Sequence, residues 1–154
     1  MGVDFDRRWT QGKEVVEALR ELWTKEKSEY HGTYYDFPPV YCFPKPAAKP
    51  HPPVILGSKA RNVFKRIAAW GDGWLPLDIT AGEVAHGRSE LNRLAELDGR
   101  DPKAIEISVM GVPADRESIK SYAEAGADRI ILGLGEAVDD QDLAMMERVA
   151  ESVM

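Results

Sequence analysis

The chain has 154 residues, 44% of them hydrophobic and 30% charged, with a net charge of -6. This is the balance of one soluble globular domain with a real core. An acidic surface repels phosphate backbones, so the composition argues against nucleic-acid binding; it leaves a small anionic cofactor open, because a pocket can be locally positive. Cys42 is the single cysteine, which excludes a disulfide within the chain and points to a reducing cytoplasm. Met1 to Arg8 has no apolar signal core, and no apolar run approaches the roughly 20 residues that span a bilayer.

Gln11 to Lys27 predicts the first helix. Val15, Leu19 and Leu22 share one face with Val16 and Trp23 beside them, and Lys13, Glu14, Glu17, Arg20 and Glu21 are expected to face solvent. From Tyr30 to Pro53 the character changes. Seven of the ten prolines lie between Pro38 and Pro53, among Tyr34, Tyr35, Phe37, Tyr41 and Phe43. Proline at that density forbids helix and weakens strands. The segment reads as a long excursion with a short hairpin around Gly32, and an excursion of this length usually has a function or covers something.

A regular rhythm follows. Val54-Ile55-Leu56 is a short apolar run, as in a strand buried on both faces. Gly57-Ser58 makes a turn, and Lys59 to Trp70 predicts a helix with Ser58 as its N-cap. Gly71-Asp72-Gly73 turns into a strand at Trp74-Leu75-Pro76-Leu77. A helix over Glu83 to Leu97 is stopped by Asp98-Gly99. A third strand covers Ile105 to Val112. A helix over Glu117 to Ala125 is closed by Gly126. A fourth strand spans Arg129 to Leu134, and the last helix spans Asp139 to Val153. Strands alternating with helices predict parallel strands joined by right-handed crossovers, in an open sheet or in part of a (β/α)8 barrel. A whole barrel takes about 250 residues. Four units make about half of one, expected to form a single domain with the proline-rich insertion at 30–53.

The segment Gly57-Ser58-Lys59 is the most informative for chemistry. There a strand ends, a glycine lets backbone approach a ligand, and a helix is expected to begin. The N–H groups of a helix's first turn attract anions; Ser58 adds a hydroxyl and Lys59 a charge. The segment reads either as a phosphate cradle at the C-terminal end of a strand, where such folds keep their sites, or as an ordinary turn with a serine cap. Trp74 either borders a flat cofactor or plugs the core. His31, His51 and His86 have no companion at metal-ligand spacing, so no metal is expected. Cys42 has no base beside it in sequence and reads as a small apolar residue. Asp139 and Asp140 suit the start of the last helix. No catalytic triad, no dinucleotide fingerprint and no catalytic acid or base is identified.

Several of these stretches, taken in order, resemble the bacterial luciferase-like monooxygenase family, which includes deazaflavin-dependent oxidoreductases. Gly2-Val3-Asp4-Phe5-Asp6-Arg7-Arg8 with Leu19-Arg20-Glu21-Leu22-Trp23 looks like the family's middle helix. Tyr30-His31-Gly32-Thr33-Tyr34-Tyr35 is similar to its insertion. Pro52-Pro53-Val54-Ile55-Leu56-Gly57-Ser58 is similar to its cofactor strand. Ala68-Ala69-Trp70-Gly71-Asp72-Gly73-Trp74 is similar to its next strand, and Tyr122 to Arg129 to the passage into its last strand. The resemblance implies the C-terminal half of a TIM (β/α)8 barrel, flavin mononucleotide (FMN) or the deazaflavin coenzyme F420 as cofactor, a small-molecule substrate, and a cofactor phosphate near Gly57 and Ser58. Ser58 stands where the family more usually has a second glycine. Lys59 comes from the turn chemistry and not from the resemblance. The family's early strands and most of its catalytic polar groups precede the region matched. The expectation is therefore a truncated frame, a fragment or a standalone half-barrel. A half-barrel covers its open edges most simply by pairing with a second copy.

Overall fold

The computed structural model describes residues 5–132 and 140–153. The chain divides into two compact units, Met1–Val54 and Ile55–Met154.

In the first unit a 3-10 turn, Phe5–Arg7, leads into α1, Arg8–Thr24. Strands β1, Lys27–His31, and β2, Asp36–Tyr41, form an antiparallel hairpin. α1 starts and ends about three residues earlier than its periodicity suggests, because Lys27 is taken into the hairpin opposite Tyr41. β2 runs through Pro38 and Pro39. The register shifts there: Ser28 faces Val40, Tyr30 faces Phe37, and the two prolines lie opposite Glu29. A bulge tolerates residues that donate no ladder hydrogen bond.

Glu14, expected at the surface, is buried (8% exposed). Its Oε1 accepts the backbone N–H groups of Tyr34 at 2.6 Å and Tyr35 at 2.8 Å, so α1 fastens the hairpin turn. Burial pushes this carboxyl up, but the N–H groups of Tyr35, Tyr34 and Thr33 together hold it below the usual carboxylate range. Gly32 is required beside it, since a Cβ there would lie 2.1 Å from Glu14 Oε1. The Tyr30 hydroxyl donates to Glu17 at 2.9 Å. Burial and the adjacent Glu17 push its phenol up to about 12.

The second unit is a parallel sheet with helices. In chain order it contains β3, Ile55–Leu56; α2, Val63–Trp70; β4, Gly73–Trp74; α3, Ala81–Leu97; β5, Glu106–Met110; α4, Arg116–Glu124; β6, Arg129–Ile131; and α5, Asp140–Val153. The strand order is β3-β4-β5-β6 and every pairing is parallel. That order decides between the two α/β architectures left open by the alternation. A doubly wound sheet reverses its strand order at a switch point, whereas a barrel adds each strand beside the last. The four strands are one half of a (β/α)8 barrel's complement. The expected Gly133, Leu134 and Asp139 lie outside the described residues.

Local chemistry explains the element ends. Thr80 and Glu83 form a reciprocal capping box at the start of α3. Asp115 accepts Ser118 N–H at 2.8 Å at the start of α4, and Gly126 follows the C-cap with φ +99°. Arg88 of α3 ties the N-terminal ends of β5 and β6 together. It donates to the Ile105 carbonyl at 2.9 Å, to the Gly126 carbonyl at 2.9 and 3.2 Å, and to the Asp128 carboxylate. Asp128 in turn accepts Ile107 N–H at 2.7 Å.

Helix α2 departs from expectation. It begins at Val63, not Lys59, and position 62 supplies its N-cap without a side-chain bond. Ser58 is not the cap. Its hydroxyl accepts Ala60 N–H at 2.9 Å, a local turn that competes with helix. A second turn, Val63 N–H to the Ala60 carbonyl at 2.9 Å, then leads into the helix.

Candidate functional site

Parallel α/β folds present chemistry at the C-terminal ends of their strands. Here three such ends meet. After β3 comes the loop 57–62, beginning with exposed Gly57 and half-buried Ser58. After β4 come Leu77 and Asp78, with Leu77 bridging in parallel to Met110. After β5 comes Gly111.

The loop is held from two sides. The indole N–H of Trp74 donates to the Ser58 carbonyl at 2.9 Å. The Lys59 ammonium donates to the Asp78 carbonyl at 3.0 Å, joining the first loop to the second. An ammonium has three donors, so this bond leaves capacity for a further acceptor. Glycine at 57 permits a close approach, since a Cβ there would already sit 3.3 Å from the Leu75 carbonyl.

The predicted residues Gly57, Ser58, Lys59 and Trp74 are therefore neighbours, with Trp74 in an indirect position. Trp74 is 3% exposed and lies on the sheet face that packs against helices. Its ring meets Phe64 of α2 edge-on, with centroids 4.8 Å apart and planes at 82°. Gly87 of α3 makes room for it, because a Cβ at 87 would be 2.3 Å from its Cζ3. Trp74 thus shapes the loop from behind.

A pocket of about 220 Å³ lies beside the loop, bordered by Lys59, Arg61, Phe64, Trp74, Glu83 and His86. Three basic side chains rim an aromatic floor, with Glu83 as the acidic member. The Glu83 carboxyl lies below its usual range because the Thr80 backbone N–H and hydroxyl donate to it, with Lys59 nearby. A larger groove, about 770 Å³, opens at the other end of the sheet near Arg88, Lys103 and Asp128. Size favours the groove and position favours the pocket. Position is the better guide, because the N-terminal face of such sheets serves stability.

Sequence reasoning missed Asp78. Its φ is +51° and Gly111 beside it has φ +86°. Asp78 N–H donates to the Met110 carbonyl at 3.2 Å, and a Cβ on Gly111 would meet the Asp78 carboxylate at 2.3 Å. A non-glycine residue in this backbone region at a strand's C-terminal end marks a place where local strain is held by its surroundings. The Tyr122 hydroxyl steadies the same stretch by donating to the Ile79 carbonyl at 2.6 Å.

The histidines have different partners. His31 pairs with Asp36 at 2.6 Å, His51 contacts the Pro52 carbonyl at 2.9 Å, and His86 faces Phe64. Among the described residues no group of His, Cys, Asp and Glu is arranged to hold a metal ion, and no helix is long and apolar enough to cross a membrane.

Comparison with known proteins agrees with this fold. The profile of the luciferase-like monooxygenase family matches residues 1–152. The chain belongs to that family. An uncharacterized protein of Mycobacterium tuberculosis is 34% identical over 152 residues, covering 97% of this chain and 52% of the relative. The chain thus spans about half the length of that relative. An FMNH(2)-dependent dimethylsulfone monooxygenase of Pseudomonas putida is 31% identical over 71 residues, covering 44% of this chain and 20% of that enzyme. Among solved structures, an F420-dependent secondary alcohol dehydrogenase in complex with an F420-acetone adduct superposes with a TM-score of 0.78 at 14% identity, over 100% of this chain and 64% of that one. A coenzyme F420-dependent tetrahydromethanopterin reductase from Methanopyrus kandleri gives 0.74 at 11% identity, over 94% and 62%. At such identities the superpositions speak for the fold alone: this luciferase-like chain carries a partial TIM barrel.

Proposed function

We propose that this chain forms the cofactor-anchoring part of an oxidoreductase that uses FMN or coenzyme F420. In this reading Gly57, Ser58 and Lys59 hold the cofactor's phosphate, and Trp74 fixes their loop. The observation that carries it is the pair of ties on the loop after β3, Trp74 to the Ser58 carbonyl and Lys59 to the Asp78 carbonyl. They preset a glycine backbone and an ammonium at the strand end, and preorganised donors bind anions at lower entropic cost than mobile ones. The groups present suit a phosphate: a backbone without a side chain, a hydroxyl able to donate, and a cation.

When bound, a reduced flavin or deazaflavin supplies the electrons for the reaction, and the protein orients and shields it. Family membership supports the reaction class. A sequence relative that is an FMNH(2)-dependent monooxygenase and a structural neighbour that is an F420-dependent dehydrogenase keep both cofactors within the proposal. The substrate is a small molecule. A second reading is a module that holds the cofactor phosphate without turnover.

Fluorescence titration of the full chain with FMN and with F420 tests the proposal. Saturable binding of one of them is expected. Lys59→Ala is expected to weaken it about tenfold or more, the scale of a lost charge-assisted hydrogen bond, with the circular dichroism unchanged. Failure to bind either would overturn the reading.

A further inference from the structure

We propose that Asp78 is a further binding residue for the cofactor, its carboxylate accepting hydroxyls of the polyol chain that joins the cofactor's ring to its phosphate. The inference rests on the cofactor reading above and assigns a residue which that reading leaves without a role.

Asp78 follows β4 at the C-terminal end of the sheet and is exposed. Its backbone is held on both sides. Its N–H donates to the Met110 carbonyl at 3.2 Å, and its carbonyl accepts the Lys59 ammonium at 3.0 Å. The next residue, Ile79, is buried, and its carbonyl accepts the Tyr122 hydroxyl at 2.6 Å. These ties keep Asp78 at φ +51°, a region that glycine enters freely and other residues enter at a cost. The side chain is placed as well. Gly111 beside it has φ +86°, and a Cβ there would collide with the Asp78 carboxylate. Glycine at 111 therefore leaves the space that the carboxylate fills.

Aspartate usually tolerates this backbone region because its carboxylate takes a local hydrogen bond. Here it takes none: among the described residues no donor reaches the Asp78 carboxylate. A fixed acceptor left open at the active end of a parallel sheet suits a donor carried by a ligand. Position selects that donor. Lys59 joins the loop after β3 to Asp78, and neighbouring strands are about 4.8 Å apart, so Asp78 lies one strand over from the phosphate cradle. A phosphate oxygen is a poor partner, because a carboxylate only accepts and two anions repel. FMN and F420 share what lies next to the phosphate, a chain of hydroxyls leading to the ring, and hydroxyls donate.

Calorimetric titration of the full chain with FMN, riboflavin and lumiflavin tests this. Riboflavin lacks the phosphate, and lumiflavin carries a methyl group in place of the whole chain. Riboflavin is expected to bind more tightly than lumiflavin. Asp78→Gly removes the acceptor and suits the backbone; it is expected to weaken riboflavin about tenfold, to leave lumiflavin unchanged, and to leave the ratio of FMN to riboflavin affinity unchanged. Asp78→Asn keeps a neutral acceptor and is expected to give a smaller loss in the same pattern; it decides the matter if the glycine variant fails to fold. If the chain takes the deazaflavin and not FMN, the series becomes F420, its phosphate-free ribityl form, and the ring with a methyl group. Equal weakening of all three ligands would reduce Asp78 to shaping the loop. A gain for FMN with riboflavin unaltered would mean that Asp78 only opposes the phosphate. Either result, or no change in any affinity, overturns the inference while the cofactor reading stands. Failure of every ligand to bind overturns both.

Discussion

Gly87→Ala is the substitution whose effect is best defined by the geometry. In an open helix interior, alanine for glycine is worth about 1 kcal/mol of stability. At position 87 the new methyl would lie 2.3 Å from Trp74 Cζ3 and 3.0 Å from Cη2, and Trp74 is 3% exposed. The ring has to move by about 1 Å, and overpacking of that kind costs about 1–3 kcal/mol. Displacement also strains the indole bond to the Ser58 carbonyl, worth about 1 kcal/mol. The net expectation is a destabilisation of about 1–3 kcal/mol. Gly82→Ala, in the first turn of the same helix, is the control. Its Cβ meets only Thr80 Oγ1, at 3.9 Å, and the change is expected to stabilise by up to about 1 kcal/mol. Urea unfolding of the three proteins measures the difference. Equal stabilisation by both substitutions would show that Trp74 is not packed on Gly87 and refute the argument. The same experiment reaches the site, since a displaced Trp74 loosens the loop at Ser58.

Four further outcomes follow from the structure. Gly111→Ala is expected to cost about 1–3 kcal/mol, because its φ of +86° disfavours a side chain and the methyl meets the Asp78 carboxylate; thermal melting checks it. Arg88→Lys is expected to lower stability by about 2–3 kcal/mol by leaving the carbonyls of Ile105 and Gly126 and the Asp128 carboxylate under-satisfied, read by urea unfolding. The Glu14 carboxyl is held below its ordinary value of 4.5, so its contribution is full above that pH and is lost as pH falls through the lower folded value. Glu14→Gln is expected to flatten that acid limb in a melting-temperature profile. Tyr30 runs the opposite way: its pKa is raised from 10.0 to about 12, so its contribution is full below 10.0 and disappears as pH rises through 12, and Tyr30→Phe is expected to remove that alkaline decline.

The second unit was largely legible because its strands and helices alternate with clear punctuation. Asp98-Gly99 and Gly126 end their helices as read, and the apolar run at Ile55–Leu56 is a strand. The capping box at Thr80 and Glu83 carries a Thr-x-x-Glu signature in the sequence. The strand order was not legible, since alternation alone permits both an open sheet and a barrel. Position 58 misled because serine both caps helices and makes local turns; here the turn formed and the helix began at Val63. Glu14 misled because a charged residue on a helix reads as solvent-facing, whereas its partners are backbone amides some 20 residues later in the chain. Asp78 left no local signal. Its backbone conformation depends on Met110 and Gly111, which belong to the neighbouring strand. Of the site, Gly57, Ser58 and Lys59 were visible as a strand-end loop, while Trp74's place behind that loop required the packing of α2 and α3.

Calorimetric titration with FMN against riboflavin, which differ only in the phosphate, isolates the anion cradle most directly. The account predicts that a chain which binds FMN binds it more tightly than riboflavin, and that Gly57→Val, whose side chain crowds the Leu75 carbonyl, and Lys59→Ala each reduce the difference. If the chain binds FMN, equal affinity for the two ligands in the unaltered chain, or a preference for FMN that survives Gly57→Val and Lys59→Ala together, would contradict it.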